Sequence, residues 1–385
     1  VVNMSLGAPA LESYKNDPIC RAVRRLVDAG IVVVAAAGNN GKDGMGQKIY
    51  GQIHSPGNEP AAITVGAVNT FDTDERSDDV ITSYSSRGPT RSYWTDDSGI
   101  KHYDNLIKPD LVAPGNRVIA AEAVNNYLVT QHPFLDAGVS PVDRRKMMLL
   151  SGTSMATPVI AGAAALLLQA NPTLTPNLIK ALLMYTAQPL ANFNTLEQGA
   201  GEVNIEGAVR LARLVRTDLR SNTPLGDRLL RSPSPPDPTT TIAGENFMWS
   251  QGVLFNYDFA TGSDLITKYQ LIYGRGLLFG DGTYVDNGTI VSDPRLLSSG
   301  IALGDALLVS NGTVLASGSL FWPSSVLVSD GVLVSDGVLV SDGVLVSDSG
   351  MTSDSVIVAR TATINGDPCG NSNAQTDTGP DGPAN

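Results

Sequence analysis

The chain has 385 residues, 42% hydrophobic and 17% charged, enough for two or three domains and a substantial core. A formal net charge of -12 excludes a phosphate-binding surface, which needs clustered Lys and Arg, so no nucleic-acid partner is expected. No stretch reaches the ~18 apolar residues of a membrane span, and the two cysteines, Cys20 and Cys369, lie in regions too different to suggest a disulfide framework.

In chain order, Val2 to Leu6 opens as an apolar strand. Pro18 to Ala29 places Ile19, Val23, Leu26 and Val27 at helical spacing, with Gly30 set to end the helix. Ile31 to Ala37 is a continuous apolar run of the parallel-sheet kind, closed by the turn residues Gly38-Asn39-Asn40-Gly41, and Ala62 to Val68 repeats the pattern. Strands alternating with helices indicate an α/β layered domain, in which ligands gather at the carboxyl ends of strands, and Asn39 falls at such an end. Polar segments at Thr70 to Asp79, Arg91 to Asp104 and Asn125 to Arg145 read as surface insertions. Val159 to Ala170 reads as a core helix, and Thr175-Pro176 supplies an N-cap and first-turn proline for a helix reaching Tyr185. Ile205 to Val215 makes one more.

Beyond Leu214 the composition changes. Arg231-Ser232-Pro233-Ser234-Pro235-Pro236-Asp237-Pro238 reads as an extended linker within residues 216–244. Residues 245–350 form a repeat-rich β region: Val326 to Ser349 holds four hexads of the type Val-Leu-Val-Ser-Asp-Gly, and Gly276, Gly282, Gly288, Gly300, Gly312 and Gly318 keep the same period of six upstream. Asp-Gly is a favoured hairpin turn, but Val-Leu-Val-Ser strands carry apolar side chains on both faces. A β-solenoid that turns one face inward, with its row of aspartates solvated, is therefore expected over a meander. Residues 351–385 read as an acidic, disordered tail.

Chemistry concentrates at Gly152-Thr153-Ser154-Met155-Ala156-Thr157-Pro158. The string puts a serine hydroxyl at the mouth of a buried helix, where small neighbours admit a substrate carbonyl and the free N–H groups of the first turn favour developing negative charge. Taken alone, a Ser/Thr-rich helix cap is the commoner use of such residues. An asparagine such as Asn39, taken alone, is a turn residue that tolerates a left-handed backbone.

The serine string resembles the nucleophile signature of the subtilisin-like serine peptidases. Val2-Asn3-Met4-Ser5-Leu6-Gly7 resembles the family's substrate-pairing strand, and Ala35-Ala36-Ala37-Gly38-Asn39 the strand end that carries its oxyanion-binding asparagine. Ser83-Tyr84-Ser85-Ser86-Arg87-Gly88-Pro89, Lys108-Pro109-Asp110-Leu111-Val112-Ala113-Pro114-Gly115 and Gly199-Ala200-Gly201-Glu202-Val203-Asn204 follow in the family's order, so the resemblance covers roughly residues 1–215. It implies a subtilisin-like parallel sheet flanked by helices, N-terminally truncated, and a secreted or cell-surface serine endopeptidase acting on polypeptides. It further implies Ser154 as nucleophile, Asn39 as oxyanion donor, Ser5, Leu6 and Gly7 pairing with an extended peptide, and Ala37 and Gly38 walling the primary specificity pocket.

The family orders its triad Asp, His, Ser, and neither of the first two blocks is present. His54, His102 and His132 are outside the family's His-Gly-Ser/Thr context and read as loop or surface histidines. The chain is therefore expected to be the C-terminal part of a longer precursor. A non-catalytic, subtilase-like scaffold carrying a repeat-based surface or adhesion module is the alternative. The family usually has histidine where Val159 follows Pro158, which bears on local packing. The α/β-hydrolase elbow is excluded by chain order, because that fold places its histidine after the serine. The resemblance allows structural calcium, but no acidic cluster is assigned to it, and no other metal or cofactor is expected.

Overall fold

The computed structural model describes residues 1–99, 101–220, 223–224, 226–255 and 258–273, together with 285–286 and 289–290. Val326 to Ser349, His102's side chain and the tail from residue 351 lie outside the described residues.

A parallel sheet forms the centre. Val2–Met4 pairs with Val33–Ala36 (Val2 opposite Val33), which pairs with Ile63–Asn69 (Val34 opposite Ile63), which in turn pairs with Leu111–Pro114 (Val65 opposite Leu111). Val80–Ile81 adds an antiparallel pair at the end of the long central strand. The apolar runs read from the sequence are thus buried strands, and every residue of Val33–Ala36 and Ile63–Asn69 is buried.

Period-two alternation divides the two faces of this sheet. Val33 and Ala35 turn to one side with Val23 and Val27 of the Pro18–Asp28 helix. Val34, Ile63, Val65 and Ala67 turn to the other, against Ala156, Ile160, Ala163, Ala164 and Leu167 of the Thr153–Ala170 helix. That helix is the one among the described residues long and apolar enough to cross a membrane, and its buried face belongs to this core. Helix ends follow their capping residues: Asp17 accepts from Ile19 and Cys20 N–H, Thr175 from Leu178 N–H ahead of Pro176, and Asn204 from Gly207 N–H.

The packed unit does not stop at residue 215. Leu229, Leu230, Trp249, Val253, Leu254, Phe259, Leu265, Ile266, Tyr269 and Tyr273 join the core of the sheet and its helices. Trp249 packs edge-on against Tyr185 at 6.4 Å and donates through Nε1 to Thr240 Oγ1 at 2.9 Å, while Tyr273 and Ile272 carbonyls accept from Thr175 and Asn177 at the start of the Pro176–Thr186 helix. Antiparallel pairs Thr239–Ile242 with Glu245–Met248 and Gly252–Phe255 with Asp258–Thr261 carry Thr240, Val253, Leu254 and Phe259 of this set. The Pro-rich stretch therefore runs between two segments that pack on the same core. A short antiparallel ladder, Val285–Asp286 with Thr289–Ile290, follows.

Three charges are buried beneath the sheet. Asp110 accepts from Lys108 Nζ at 2.8 Å and from Lys180 Nζ at 2.8 Å, and its Oδ2 also accepts from Thr64 N–H at 2.7 Å. The ammonium groups are completed by the carbonyls of Ala62 and Pro60 and by Thr64 Oγ1. Burial pushes Lys180 down to about 7 against the pull of Asp110, whereas the two lysines hold Asp110 below the usual carboxylate range in spite of its own burial. Removing the shared acceptor strands two buried lysines, whereas removing Lys180 leaves Asp110 paired with Lys108 and with the Thr64 N–H. Asp110→Asn should therefore cost about 3–5 kcal/mol and Lys180→Met clearly less, measured by urea unfolding at pH 7.5.

Candidate active site

The carboxyl end of Val33–Ala36 and the amino end of Thr153–Ala170 meet. Asn39 Oδ1 accepts two hydrogen bonds from Thr153, from the backbone N–H at 2.9 Å and from Oγ1 at 3.0 Å. Thr153 Oγ1 in turn accepts from Gly38 N–H at 3.2 Å. Because a carbonyl oxygen accepts and an amide nitrogen donates, the double acceptance fixes which way the Asn39 amide points. Nδ2 is turned toward Gly152 as a donor. A Cβ placed on Gly152 would lie 3.2 Å from Asn39 Nδ2 and 3.7 Å from both Asn39 Oδ1 and Ser154 N. The Asn39 amide nitrogen is thus the nearest polar atom to the small space that glycine leaves open, with Ser154 N and Asn39 Oδ1 farther out on its border.

The turn carrying Asn39 is held from its other side. Ser86 N–H donates to Gly38 O at 2.9 Å, and Ser86 Oγ accepts from Asn40 N–H at 3.0 Å. Arg87 next to it is fully buried, with its guanidinium on Glu197 Oε1 at 3.1 Å and on the Gly41 carbonyl. The Ser83–Pro89 block is thus a clamp on the Asn39 turn. Gly38 has φ +110, a conformation that L side chains rarely adopt.

Ser154 is half-buried and Asn39 exposed, so both face outward from the core. Ser5 Oγ donates to the Ser154 carbonyl at 2.7 Å, which brings the chain after Val2–Met4 to the serine. Leu6 and Gly7 are exposed, while Ala37 and Gly38 are buried. Of the predicted site residues, Ser5, Gly38, Asn39 and Ser154 are linked through hydrogen bonds to one another or to Thr153. Thr153, Ser86 and Gly152 were absent from the sequence-derived site; Thr153 and Gly152 stood within the serine signature, where their spacing to Asn39 is invisible.

The histidines differ from one another. His132 follows the short Tyr127–Gln131 helix on an exposed insertion. His54, expected on a loop or the surface, is half-buried in the short strand His54–Ser55, paired with Ala8–Pro9, and burial pushes its pKa below the ordinary value. Among the described residues no histidine hydrogen-bonds to the Ser154 hydroxyl, and no group of three or more His, Cys, Asp and Glu is placed to hold a metal ion.

Comparison with known proteins shows the family of the chain. A family model described as "Subtilase family" matches residues 1–208, and the chain belongs to that family. It is 39% identical over 211 residues to serine protease AprX of Bacillus subtilis (strain 168), covering 54% of this chain and 42% of the relative. It is 33% identical over 189 residues to the extracellular serine proteinase of Thermus sp. (strain Rt41A), covering 49% and 33%, and 31% identical over 210 residues to subtilisin DY of Bacillus licheniformis, covering 54% and 57%. The chain thus matches only part of the length of each.

Thr153→Val should strand the Gly38 N–H and remove one of the two bonds to Asn39, at a cost of roughly 1–3 kcal/mol. Thr153→Ser, which keeps the hydroxyl, should unfold within about 0.5–1 kcal/mol of the parent in the same denaturant titration.

Proposed function

We propose that the full-length protein is a serine endopeptidase that hydrolyses extended polypeptides outside the cell or at its surface, with Ser154 as nucleophile. The observation that carries this reading is the position of Asn39 Nδ2, held by the bonds of Oδ1 to Thr153, and of Ser154 N on the border of the space that Gly152 leaves empty. A carbonyl oxygen entering that space as Ser154 Oγ bonds to its carbon would gain negative charge between two neutral donors, neither of which needs to ionise. The helix start beneath Ser154 adds a positive dipole end.

The peptide lies along Ser5-Leu6-Gly7, where Leu6 and Gly7 are exposed and Ser5 is tied to the serine, with Ala37-Gly38 across from it as the wall of the primary pocket. Attack by Ser154 needs a base that takes its proton and a carboxylate that orients that base, and the family order places both ahead of the serine block. The outer face of the nucleophile helix, Pro158, Gly162, Ala165 and Leu166, is apolar and exposed, and a further segment packed there would stand beside Ser154. With the base present, its proton passes to the departing amine as the C–N bond breaks, and water then releases the acyl group from Ser154.

The 385-residue chain alone should therefore show no turnover of peptide substrates, since a serine without a base is a poor nucleophile. The full-length gene product should react with serine-directed phosphonylating inhibitors at Ser154. Asn39→Ala in that protein should lower kcat roughly 100-fold or more with KM nearly unchanged, and Gly152→Ala, which fills the space between the donors, should act in the same direction. Turnover by the 385-residue chain that disappears in Ser154→Ala would place the base within it, and failure to label Ser154 would favour the scaffold alternative.

A further inference from the structure

The two walls of the proposed peptide groove share one neighbour. A Cβ on Gly7 would lie 3.0 Å from His54 Cβ and 3.3 Å from its Nδ1, and a Cβ on Gly38 would lie 2.7 Å from Cγ and 2.8 Å from Cδ2 of the same ring. The room that two missing side chains leave is taken by one imidazole. Its backbone is pinned to both walls: His54 N–H donates to Ala37 O at 2.9 Å, and His54 stands opposite Pro9 in the antiparallel pair that follows Gly7.

The ring also has a defined polarity. Asn40 Nδ2 lies 3.1 Å from His54 Nε2, so a donating amide makes Nε2 the acceptor and leaves the proton of the neutral ring on Nδ1. Burial favours that neutral form, and Nδ1, on the Gly7 side, has no hydrogen-bond partner among the described residues.

We infer that His54 is the specificity-determining floor of the primary side-chain pocket, selecting a short side chain that ends in a hydrogen-bond acceptor, Asn or Asp, at the residue whose carbonyl Ser154 attacks. This rests on the proposed peptidase reading and on the groove between Ser5–Gly7 and Ala37–Gly38. The ring shortens the pocket, so aromatic side chains and the long stems of Lys and Arg meet imidazole before they are buried. The Nδ1 proton meets an acceptor in the first group of substrates and an ammonium or guanidinium donor in the second.

The test is the kcat/KM of the full-length protein on peptides that differ only at that residue, with Asn, Asp, Leu, Phe and Lys compared in wild type, His54→Ala and His54→Phe. Ratios between substrates are read within each protein, so a partly folded variant still reports, and melting curves identify one that is unfolded. Wild type should prefer Asn and Asp. His54→Ala, which deepens the pocket, should raise the Phe-to-Asn ratio at least about tenfold. His54→Phe, which keeps the bulk and removes the donor, should still reject Phe but lose the preference for Asn over Leu. Ratios in both variants within twofold of wild type would overturn the role of His54 while leaving the peptidase reading intact. Cleavage of none of the peptides by wild type would remove that reading and the selector with it.

Discussion

A single carbonyl oxygen, Asn39 Oδ1, joins the two halves of the site. By accepting from both the backbone and the hydroxyl of Thr153, it ties the carboxyl end of a central strand to the first turn of the long core helix. Each of those elements is placed by a large buried surface, but packing alone leaves the orientation of an exposed amide free. The double acceptance removes that freedom and leaves Nδ2 directed at the space over Gly152. Donors fixed before the reaction do not reorganise as charge develops, which is where such a site gains over water.

That joint depends on rigid support. Ser86 holds the turn through Gly38 O and Asn40 N–H, and buried Arg87 anchors the clamp to Glu197. Deeper still, Asp110 draws Lys108, Lys180 and the Thr64 N–H together, which links the central strand, its neighbour Leu111–Pro114 and the Pro176–Thr186 helix through one carboxylate. Such a network does little for net stability against an apolar core of equal volume, but loss of the shared carboxylate is costly, so it holds the parts in one arrangement. The segment from Leu229 to Tyr273 closes the far side of this core.

The parts of this organisation legible in the sequence are those with a local signal. Continuous apolar runs gave the strands Val33–Ala36 and Ile63–Asn69, and Thr175-Pro176 and Gly30 marked helix ends where the structure has them. Ser154 and Asn39 were singled out because the resemblance supplied their context, not because either residue is unusual by itself. Pairings between distant residues were hidden: Asn39 with Thr153, Asp110 with Lys180, Trp249 with Tyr185. Charged residues in the Lys108–Gly115 block gave no sign of burial, since burial here is made affordable only by partners from other elements. His54 read as a surface histidine because nothing local reveals that two glycines remote in sequence border its ring.

The most direct test of the paired-donor site is a crystal structure of the full-length protein inhibited by a peptide boronic acid. Boron should be bonded to Ser154 Oγ, with one boron-bound oxygen over Gly152 accepting from both Asn39 Nδ2 and Ser154 N–H while Asn39 Oδ1 keeps its bonds to Thr153. A boronate on Ser154 whose oxygens point elsewhere, with the Asn39 amide reversed or turned to solvent, would contradict it.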